Sequence, residues 1–244
     1  MTIIITGGSK GIGFAIAERF AEEKHDLVLI AREKKALMRA SEELHKRHGV
    51  RVTAMSADLT KAGCASRIRR ELDAKSITIT GLVNNAGIGH KGSMIDTPRE
   101  LRALNIDALT ELTSTFLTDI ERASGFIINV SSVAGLIPIP HMSTYAASKA
   151  YVVSFSESLS FETDARVLCI CPGPVNTEFH DNAKNPSLRK GARSPEQVAH
   201  ETIRALKGRK IVYITDPKLR CMIGLTRWMP RAWIRSLIKA MMNE

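Results

Sequence analysis

Tyr145 and Lys149 combine residue types and a spacing that suit proton exchange. They lie four residues apart at the start of a predicted helix, so their side chains share one helical face, one turn apart. A tyrosine hydroxyl ordinarily has a pKa of about 10, and a neighbouring ammonium favours its ionised form. The pair therefore predicts a general acid/base for a carbonyl or alcohol oxygen. Taken alone, the same spacing also suits an exposed pair on a helix surface.

Two serines precede this pair at the end of an apolar run. Ser132 lies thirteen residues before Tyr145, and Ser131 is its direct neighbour. A hydroxyl at this point could hydrogen-bond a carbonyl oxygen as negative charge develops on it. Ser132 is the predicted partner of Tyr145, and Ser131 is its rival. A structural serine at a strand end is the alternative for either residue.

The segment TGGSKGIG at residues 6–13 follows the first apolar run and opens the first predicted helix. Glycines there allow a tight turn and a close approach of the backbone to a pyrophosphate, whose charge meets the free N–H groups of the helix N-terminus. The residues assigned to dinucleotide binding are Gly7, Ser9, Lys10, Gly11, Ile12 and Gly13. A plain tight turn is the alternative for this segment by itself.

The residue that ends the second apolar run discriminates between nicotinamide cofactors. NAD-binding folds of this kind usually carry Asp or Glu there, on the ribose 2′-hydroxyl. This chain has Arg32, with no acid before Glu33. Arg32 could bind a 2′-phosphate and Lys10 could add a second positive charge, so NADP(H) is predicted over NAD(H). Alternatively, Arg32 caps the following helix or lies in solvent.

Two further runs end in residues suited to the adenosine half of such a cofactor. Asp58 and Leu59 follow the third run, where a carboxylate could accept a hydrogen bond from the adenine amino group; Asp58 could equally be an ordinary residue at the start of a helix. Asn85, Ala86 and Gly87 follow the fourth run, where small residues leave room for the ribose and amides can tie neighbouring strands together.

These residues all follow short apolar runs that alternate with longer amphipathic segments. The runs are rich in Ile and Val and read as seven buried parallel strands, at residues 2–6, 27–31, 52–56, 81–84, 126–130, 167–171 and 211–214. Helices are predicted at residues 11–23, 33–48, 60–75, 98–123, 143–163 and 195–207, with capping boxes at Thr97 and Ser194. The pattern predicts an α/β fold with a doubly wound, Rossmann-type parallel sheet, in which ligands bind beyond the carboxyl ends of the strands.

The ordered motifs resemble the short-chain dehydrogenase/reductase family. The resemblance runs to about residue 215 and rests on TGGSKGIG at 6–13, NNAG at 84–87, SS at 131–132, YAASK at 145–149 and CPGPVNT at 171–177. It implies an NADP(H)-dependent enzyme that transfers hydride between nicotinamide and a carbonyl or alcohol. The family pattern implies a catalytic tetrad of Asn105, Ser132, Tyr145 and Lys149, in which Lys149 also holds the nicotinamide ribose.

The same resemblance assigns a second group of residues to the nicotinamide end. Pro172, Gly173, Val175 and Thr177 match the segment that contacts the carboxamide, which implies transfer on the 4-pro-S side. The stretch between Asn85 and Asn105 is a few residues shorter than the family pattern, which bears on the position of Asn105. Homo-oligomerisation, as a dimer or tetramer through helices 98–123 and 143–163, is also implied.

The substrate is described only by class. Ile88, Ile137, Ile139 and Met142 are candidate cleft residues and suggest a moderately apolar carbonyl compound, while the polar stretch 178–193 corresponds to the family's variable lid. Reduction of 3-oxoacyl groups on an acyl-carrier protein is one alternative, and a non-catalytic dinucleotide-binding redox sensor is another.

The distribution of charge and cysteine limits the classes of binding partner and location that are expected. Residues 207–244 contain nine basic and two acidic side chains, which accounts for +7 of the net charge of +10. We expect residues 1–217 to form one catalytic domain and 218–244 a basic amphipathic extension, which packs on the protein or, alternatively, lies on an anionic membrane. No nucleic-acid module or metal motif is recognised, and the N-terminus does not resemble a secretion signal. The four cysteines suit reduced core residues, and the expected location is the cytoplasm.

Overall fold

The seven predicted strands form one parallel sheet. The computed structural model describes residues 1–177, 192–226, 229, 230 and 233. The strand order is β3-β2-β1-β4-β5-β6-β7, and every neighbouring pair is parallel. The strands are β1 (Thr2–Thr6), β2 (Asp26–Ala31), β3 (Val52–Ser56), β4 (Gly81–Asn84), β5 (Phe126–Val130), β6 (Arg166–Cys171) and β7 (Val212–Ile214). The predicted doubly wound α/β fold is confirmed, with strand ends within one residue of the prediction.

Helices cover both faces of this sheet. They are α1 (Gly11–Glu22), α2 (Lys34–His48), α3 (Cys64–Ala74), α4 (Arg99–Arg102), α5 (Ala108–Arg122), α6 (Ser143–Glu162), α7 (Pro195–Leu206) and α8 (Pro217–Thr226). Side chains of α1, α2 and α7 pack on one face and those of α3, α5 and α6 on the other. Successive side chains of β1 point to opposite faces of the sheet. Ile3 and Ile5 pack in the core on one face, and Ile4 packs in the core on the other.

The sheet reverses its strand order between β1 and β4. The chain runs from β1 to β2 on one side and from β4 to β5 on the other, and β1 pairs directly with β4. The two outgoing connections therefore diverge at the carboxyl ends of these two strands. A doubly wound sheet binds its ligand in the crevice opened there.

The third helix begins later than predicted. It starts at Cys64 rather than at residue 60. Asp58 causes the delay, because its side chain accepts hydrogen bonds from both the backbone and the hydroxyl of Thr60 and closes a turn. Gly63, with a φ of 70°, then supplies the left-handed residue that precedes the helix.

The predicted capping box at Thr97 is wrong, whereas the one at Ser194 is confirmed. Pro98 has an extended backbone and the helix begins only at Arg99, because Thr97 instead closes a 3-10 turn over Met94–Asp96 by donating its N–H to the Met94 carbonyl. At α7, the Ser194 hydroxyl accepts from the Gln197 N–H and the Gln197 side chain accepts from the Ser194 N–H.

The C-terminal part of the described chain contains a helix that the sequence did not predict. Helix α8 follows β7 directly; its Ile223 is buried, and Arg220 stacks on Tyr213 with 4.3 Å between the guanidinium carbon and the ring centroid. Cys221 on this helix is exposed, whereas Cys64, Cys169 and Cys171 are buried.

Two predicted features lie outside the described residues, wholly or largely. Of the lid at 178–193, the structure describes residues 192 and 193; of the tail helix that starts at Pro230, it describes Pro230 and Trp233. Within the part of the chain that is described, no helix has the length and apolar character needed to span a bilayer.

Candidate active site

Helix α6 brings Tyr145 and Lys149 to the carboxyl end of β5. The Lys149 Nζ lies 5.9 Å from the centroid of the Tyr145 ring and donates a hydrogen bond of 2.9 Å to the Val130 carbonyl. Both side chains are buried, with 7% of Tyr145 and 5% of Lys149 exposed. The pair therefore does not lie on an open helix surface, which was the alternative raised by its spacing.

The two serines at the end of β5 have different environments. Ser132 hydrogen-bonds the Tyr145 hydroxyl, and its own hydroxyl lies 3.5 Å from the Pro172 carbonyl oxygen. Ser131 is buried and donates a hydrogen bond of 2.7 Å to the backbone carbonyl of Lys149. Ser132 thus faces the phenol, whereas Ser131 ties α6 to the end of β5.

Burial moves the pKa values of the phenol and the ammonium in opposite directions. It raises the pKa of Tyr145 to about 12, against a lowering contribution from the hydrogen bond with Ser132. It lowers the pKa of Lys149 to about 8, while the nearby Cys169 and Cys171 act in the opposite direction. Each change follows from the same cause, because a low-dielectric environment disfavours the charged form of either group.

Asn105 lies in a π-helical turn, Ala103–Asp107, between α4 and α5. Its amide clamps the backbone of Ile88, with the Oδ1 accepting from the Ile88 N–H at 2.9 Å and the Nδ2 donating to the Ile88 carbonyl at 3.0 Å. The Nδ2 also donates to the Ser148 hydroxyl. A Cβ built on Gly87 would lie 3.2 Å from the Asn105 Oδ1 and 3.4 Å from the Lys149 Nζ. Despite the short lead into this helix, Asn105 reaches the neighbourhood of Lys149.

The glycine-rich turn has the shape of an anion-binding loop. Gly7 and Gly11 adopt φ values of 65° and 59°, a region that favours glycine. Lys10 precedes the first turn of α1, and no side-chain hydrogen bond caps that helix end. Gly13 is buried, and Ser9 and Ile12 are half-buried. The turn therefore leads into a helix N-terminus that has no side-chain cap, an arrangement that fits a pyrophosphate.

The NNAG segment is joined to this turn through Thr6. The Thr6 hydroxyl accepts hydrogen bonds of 2.9 Å from the N–H groups of both Asn85 and Ala86, and the Asn85 side chain donates to the Thr6 carbonyl at 2.9 Å. A Cβ on Gly7 would lie 2.7 Å from the Asn85 Nδ2. Sequence reasoning missed Thr6, although a hydroxyl at the last position of the first strand was a usable signal.

The predicted adenosine-binding residues lie at the ends of β2 and β3. Arg32 and Lys10 are exposed, and the Arg32 carbonyl accepts a hydrogen bond from Ser56. Hydrogen bonds from Thr60 hold the pKa of Asp58 below its ordinary value. The Leu59 side chain is buried in the core, so only its backbone is available to a ligand.

The segment after β6 closes the crevice opposite the glycine-rich turn. The Pro172 carbonyl accepts a hydrogen bond of 3.0 Å from the Val133 N–H, and Gly173 packs against Leu219 of α8. Val175 forms a parallel bridge with Arg193. A Cβ on Gly11 would lie 3.2 Å from the Thr177 methyl group, so the glycine-rich turn and the segment after β6 face each other.

The surroundings of Tyr145 are apolar. Met142, Leu101 and Ala134 form a buried cluster with its ring, and Ile88 and Ile139 pack against that cluster. Three of the four predicted cleft residues are therefore beside Tyr145, whereas the fourth, Ile137, follows the turn at Val133–Gly135. Within the described ranges, no group of three or more His, Cys, Asp or Glu side chains is placed to hold a metal ion.

Comparison with known proteins connects this geometry to a family. The model of the short chain dehydrogenase family matches residues 1–187. The 3-oxoacyl-[acyl-carrier-protein] reductase FabG of Chlamydia trachomatis serovar D is 34% identical over 200 residues, which span 77% of this chain and 81% of that protein.

Solved structures of short-chain dehydrogenases also superpose on this chain. A short-chain dehydrogenase from Sphingobium yanoikuyae in complex with NADPH superposes with a TM-score of 0.82 at 30% identity, covering 95% of this chain and 97% of that one. A short chain dehydrogenase/reductase from Burkholderia phymatum in complex with NAD shares the fold, with a TM-score of 0.81 at 24% identity and coverage of 93% and 92%. The chain is therefore an oxidoreductase that belongs to the short-chain dehydrogenase/reductase family.

Proposed function

We propose that this oxidoreductase uses NADP(H) to interconvert a carbonyl and an alcohol on a small molecule, with Tyr145 as the general acid/base. The observation that carries the proposal is the buried Tyr145 hydroxyl, which is hydrogen-bonded to Ser132 and lies one helical turn from the Lys149 ammonium. When bound, the nicotinamide supplies or accepts the hydride. Asn105, Ser132, Tyr145 and Lys149 are the proposed catalytic residues.

Tyr145 exchanges a proton with the substrate oxygen. In the reductive direction its hydroxyl donates that proton, and a pKa raised to about 12 keeps the donor protonated at neutral pH. Ser132 donates a hydrogen bond to the same oxygen and so orients the substrate. Lys149 stabilises the phenolate left behind and hydrogen-bonds the nicotinamide ribose. Asn105 supports a path for the proton from Lys149 towards solvent.

The cofactor-binding set extends along the crevice. The proposed contacts are Gly7, Ser9, Lys10, Gly11, Ile12 and Gly13 at the pyrophosphate, Arg32, Asp58 and Leu59 with Asn85, Ala86 and Gly87 at the adenosine, and Pro172, Gly173, Val175 and Thr177 with Tyr145 and Lys149 at the nicotinamide. The proposed preference for NADP(H) over NAD(H) rests on two exposed cations, Arg32 and Lys10. Arg32 follows β2, where NAD-binding folds usually carry an acid, and Lys10 lies in the glycine-rich turn.

A second candidate is reduction of a 3-oxoacyl group carried by an acyl-carrier protein. It is favoured by the 34% identity to the chlamydial reductase of that name and by the positive net charge, which suits an acidic carrier. The two candidates share the chemistry at Tyr145 and differ in whether the carbonyl arrives on a free molecule or on a protein.

The remaining proposals concern assembly and location. The proposed catalytic domain is residues 1–217, and the proposed extension is residues 218–244, whose helix α8 packs against that domain. A homo-oligomer through α5 and α6 is supported by Phe161 at the end of α6, which is 91% exposed. The cytoplasm is the proposed location.

The test is a carbonyl and alcohol panel followed at 340 nm with both cofactors, on the wild type and Tyr145→Phe. We expect the substitution to lower kcat by about 10²–10⁴-fold while NADPH affinity stays largely intact, because only the exchangeable proton is removed. Tyr151→Phe is the matched control, since Tyr151 lies on the same helix with its hydroxyl 2.9 Å from the Thr110 hydroxyl, away from Ser132. Undiminished carbonyl reduction by Tyr145→Phe refutes the acid/base role.

A further inference from the structure

Four buried polar side chains form a hydrogen-bonded chain beneath the proposed active site. We call Asn84, Asn129, Thr113 and Ser156 the amide network. The Asn84 Nδ2 donates to the Thr113 hydroxyl at 3.0 Å and to the Asn129 Oδ1 at 2.9 Å, and the Asn129 Nδ2 donates to the Ser156 hydroxyl at 2.9 Å. At most 3% of any of the four residues is exposed. The network therefore links β4, β5, α5 and α6 out of contact with solvent.

The direction of every hydrogen bond in the network is fixed from its two ends. Thr113 donates its hydroxyl proton to the Leu109 carbonyl, and Ser156 donates its own to the Val152 carbonyl. Both hydroxyl oxygens can then only accept, so Asn129 must donate to Ser156, and Asn84 must donate to Thr113 and Asn129. Among the described residues, the Asn84 Oδ1 has no partner; an underused acceptor is tolerated better than an unpaired donor. A flipped amide would leave a buried donor without an acceptor.

The two strand members of the network sit just ahead of proposed site residues. Asn84 ends β4 three residues before Gly87, and Asn129 lies in β5 three residues before Ser132. The two asparagines are also direct partners in the β4–β5 register. Their side-chain bond therefore adds to the backbone pairing that aligns these two strand ends.

The two network residues on helices, Thr113 and Ser156, each follow a proposed catalytic residue at a similar separation in the sequence. Thr113 follows Asn105 by eight residues, from the π-helical turn into α5, and Ser156 follows Lys149 by seven residues along α6, about two turns in each case. A helix is stiff over two turns, so a fixed point at Thr113 or Ser156 sets the rotation and height of the site residue above it.

We propose that the amide network is a positioning device, which fixes the register of α5 and α6 on β4 and β5 and so holds the proposed tetrad in its reactive arrangement. None of its members touches the reacting atoms. The assignment of what is positioned rests on the proposed function; the network itself does not.

The first test compares three threonine variants in the full chain. Thr113→Val keeps the shape of the side chain and removes the acceptor for Asn84, whereas Thr113→Ser keeps the hydroxyl. Thr202→Val is the matched control, because Thr202 is equally buried on a helix and bonds the Val198 carbonyl four residues back, but lies on α7 outside the network. We expect Thr113→Val to lower kcat about tenfold with little change in KM for NADPH, Thr113→Ser to recover most of the activity, and Thr202→Val to keep the wild-type kcat.

The second test asks whether α5 and α6 communicate through the asparagines. Thr113 and Ser156 are joined only by way of Asn84 and Asn129 in the network, so the kcat loss of Thr113→Val with Ser156→Ala should be smaller than the product of the two single losses. Amide hydrogen exchange on the ligand-free protein supplies a readout without turnover: Thr113→Val should speed exchange in α6 near Ser156, and Thr202→Val should not.

The outcomes separate this proposal from the proposed function. A wild-type kcat in Thr113→Val, a loss equal to that of Thr202→Val, or single losses that simply multiply would each overturn the positioning role. An active Tyr145→Phe enzyme would instead overturn the acid/base assignment, and the hydrogen-exchange result would stand.

Discussion

At the scale of single residues, burial controls the pKa values of the proposed proton-exchanging pair, Tyr145 and Lys149. The pKa of Tyr145 is raised to about 12 and that of Lys149 is lowered to about 8, both because the charged forms are desolvated. The sequence predicted that the ammonium would favour the phenolate, and in the ligand-free protein burial outweighs that effect. In the ligand-free protein the Tyr145 phenol is therefore protonated at neutral pH.

Burial of the Lys149 ammonium should lower the free energy of unfolding at neutral pH, and this cost should disappear at high pH. Below pH 8 the ammonium is charged in both folded and unfolded chains, and its burial costs roughly 3 kcal/mol. Between pH 8 and 10.5 the unfolded chain still binds the proton and the folded chain has released it, so stability rises with pH. Lys149→Met should therefore be the more stable protein at pH 7, and its advantage should narrow towards pH 10.

Urea unfolding of both proteins at several pH values measures this difference. Lys75→Met, at an exposed lysine after α3, serves as the control. An advantage of Lys149→Met that does not depend on pH would contradict the assigned cause.

The proposed preference for NADP(H) can be tested at Arg32. Arg32→Asp replaces the proposed 2′-phosphate contact with a repelling carboxylate that can accept from a ribose hydroxyl. The ratio of kcat/KM for NADPH to that for NADH should fall by about 10²-fold, since each charge-assisted hydrogen bond contributes about 1.5–3 kcal/mol. Arg39→Asp makes the same charge change on α2 and should leave the ratio near the wild-type value. An unchanged ratio in Arg32→Asp would remove the basis for the NADP(H) preference.

The sequence could identify site residues by type and spacing but not by environment. It left Ser131 and Ser132 as rivals, because only the fold reveals that one hydroxyl bonds the Lys149 carbonyl and the other the phenol. The hydrogen-bond partners of Asn105, Ile88 and Ser148, could not be predicted either, because they are distant from it in sequence. Long-range contacts, rather than local preferences, decide these points.

At the scale of elements, the sequence predicted strands better than helix starts. Apolar runs locate strands closely, because burial on both faces dictates them. The helix expected at 98–123 is instead α4, a π turn and α5, and the π turn carries Asn105. A single extra residue in a helical turn leaves the apolar period almost unchanged, so the pattern could not reveal it. Such turns occur frequently at functional sites.

The close packing between the turn after β5 and α6 can be tested with one methyl group. A Cβ on Gly135 would lie 2.6 Å from the carbonyl carbon and oxygen of Lys149, so Gly135→Ala must displace α6 or the turn. We expect a loss of about 1–3 kcal/mol in unfolding free energy and a kcat at least about tenfold lower.

Gly224→Ala is the matched control for this substitution. A Cβ at Gly224 of α8 meets nothing within 4 Å, and the exchange should stabilise the helix by roughly 0.5–1 kcal/mol without changing kcat. Denaturant unfolding and initial rates measure both effects. Wild-type stability and kcat in Gly135→Ala would show that α6 is not held there.

At the scale of the whole molecule, helix α8 belongs to the packed body. It lies within the predicted extension, yet Leu219 packs on Gly173 beside the nicotinamide segment and Arg220 covers Tyr213. A truncation at the predicted boundary, residue 217, would therefore remove residues that contact the proposed site. A deletion that preserves these contacts must end after α8.

Truncation at residue 226 separates the tail from the body. The removed residues contain four of the basic side chains and one acid. We expect NADPH affinity to persist and the full chain and residues 1–226 to sediment equally with anionic vesicles, because the tail is proposed to pack on protein. Stronger, salt-sensitive sedimentation of the full chain alone would instead support a peripheral membrane contact.

The distribution of thiols gives the native protein a built-in labelling site. Cys221 is exposed on α8, whereas Cys64, Cys169 and Cys171 are enclosed by the core. An alkylating dye should therefore couple at one position per chain before unfolding and at four afterwards. Helix α8 contacts the segment proposed to receive the nicotinamide. A change in the fluorescence of a dye on Cys221 should therefore report cofactor binding in the protein without an engineered mutation.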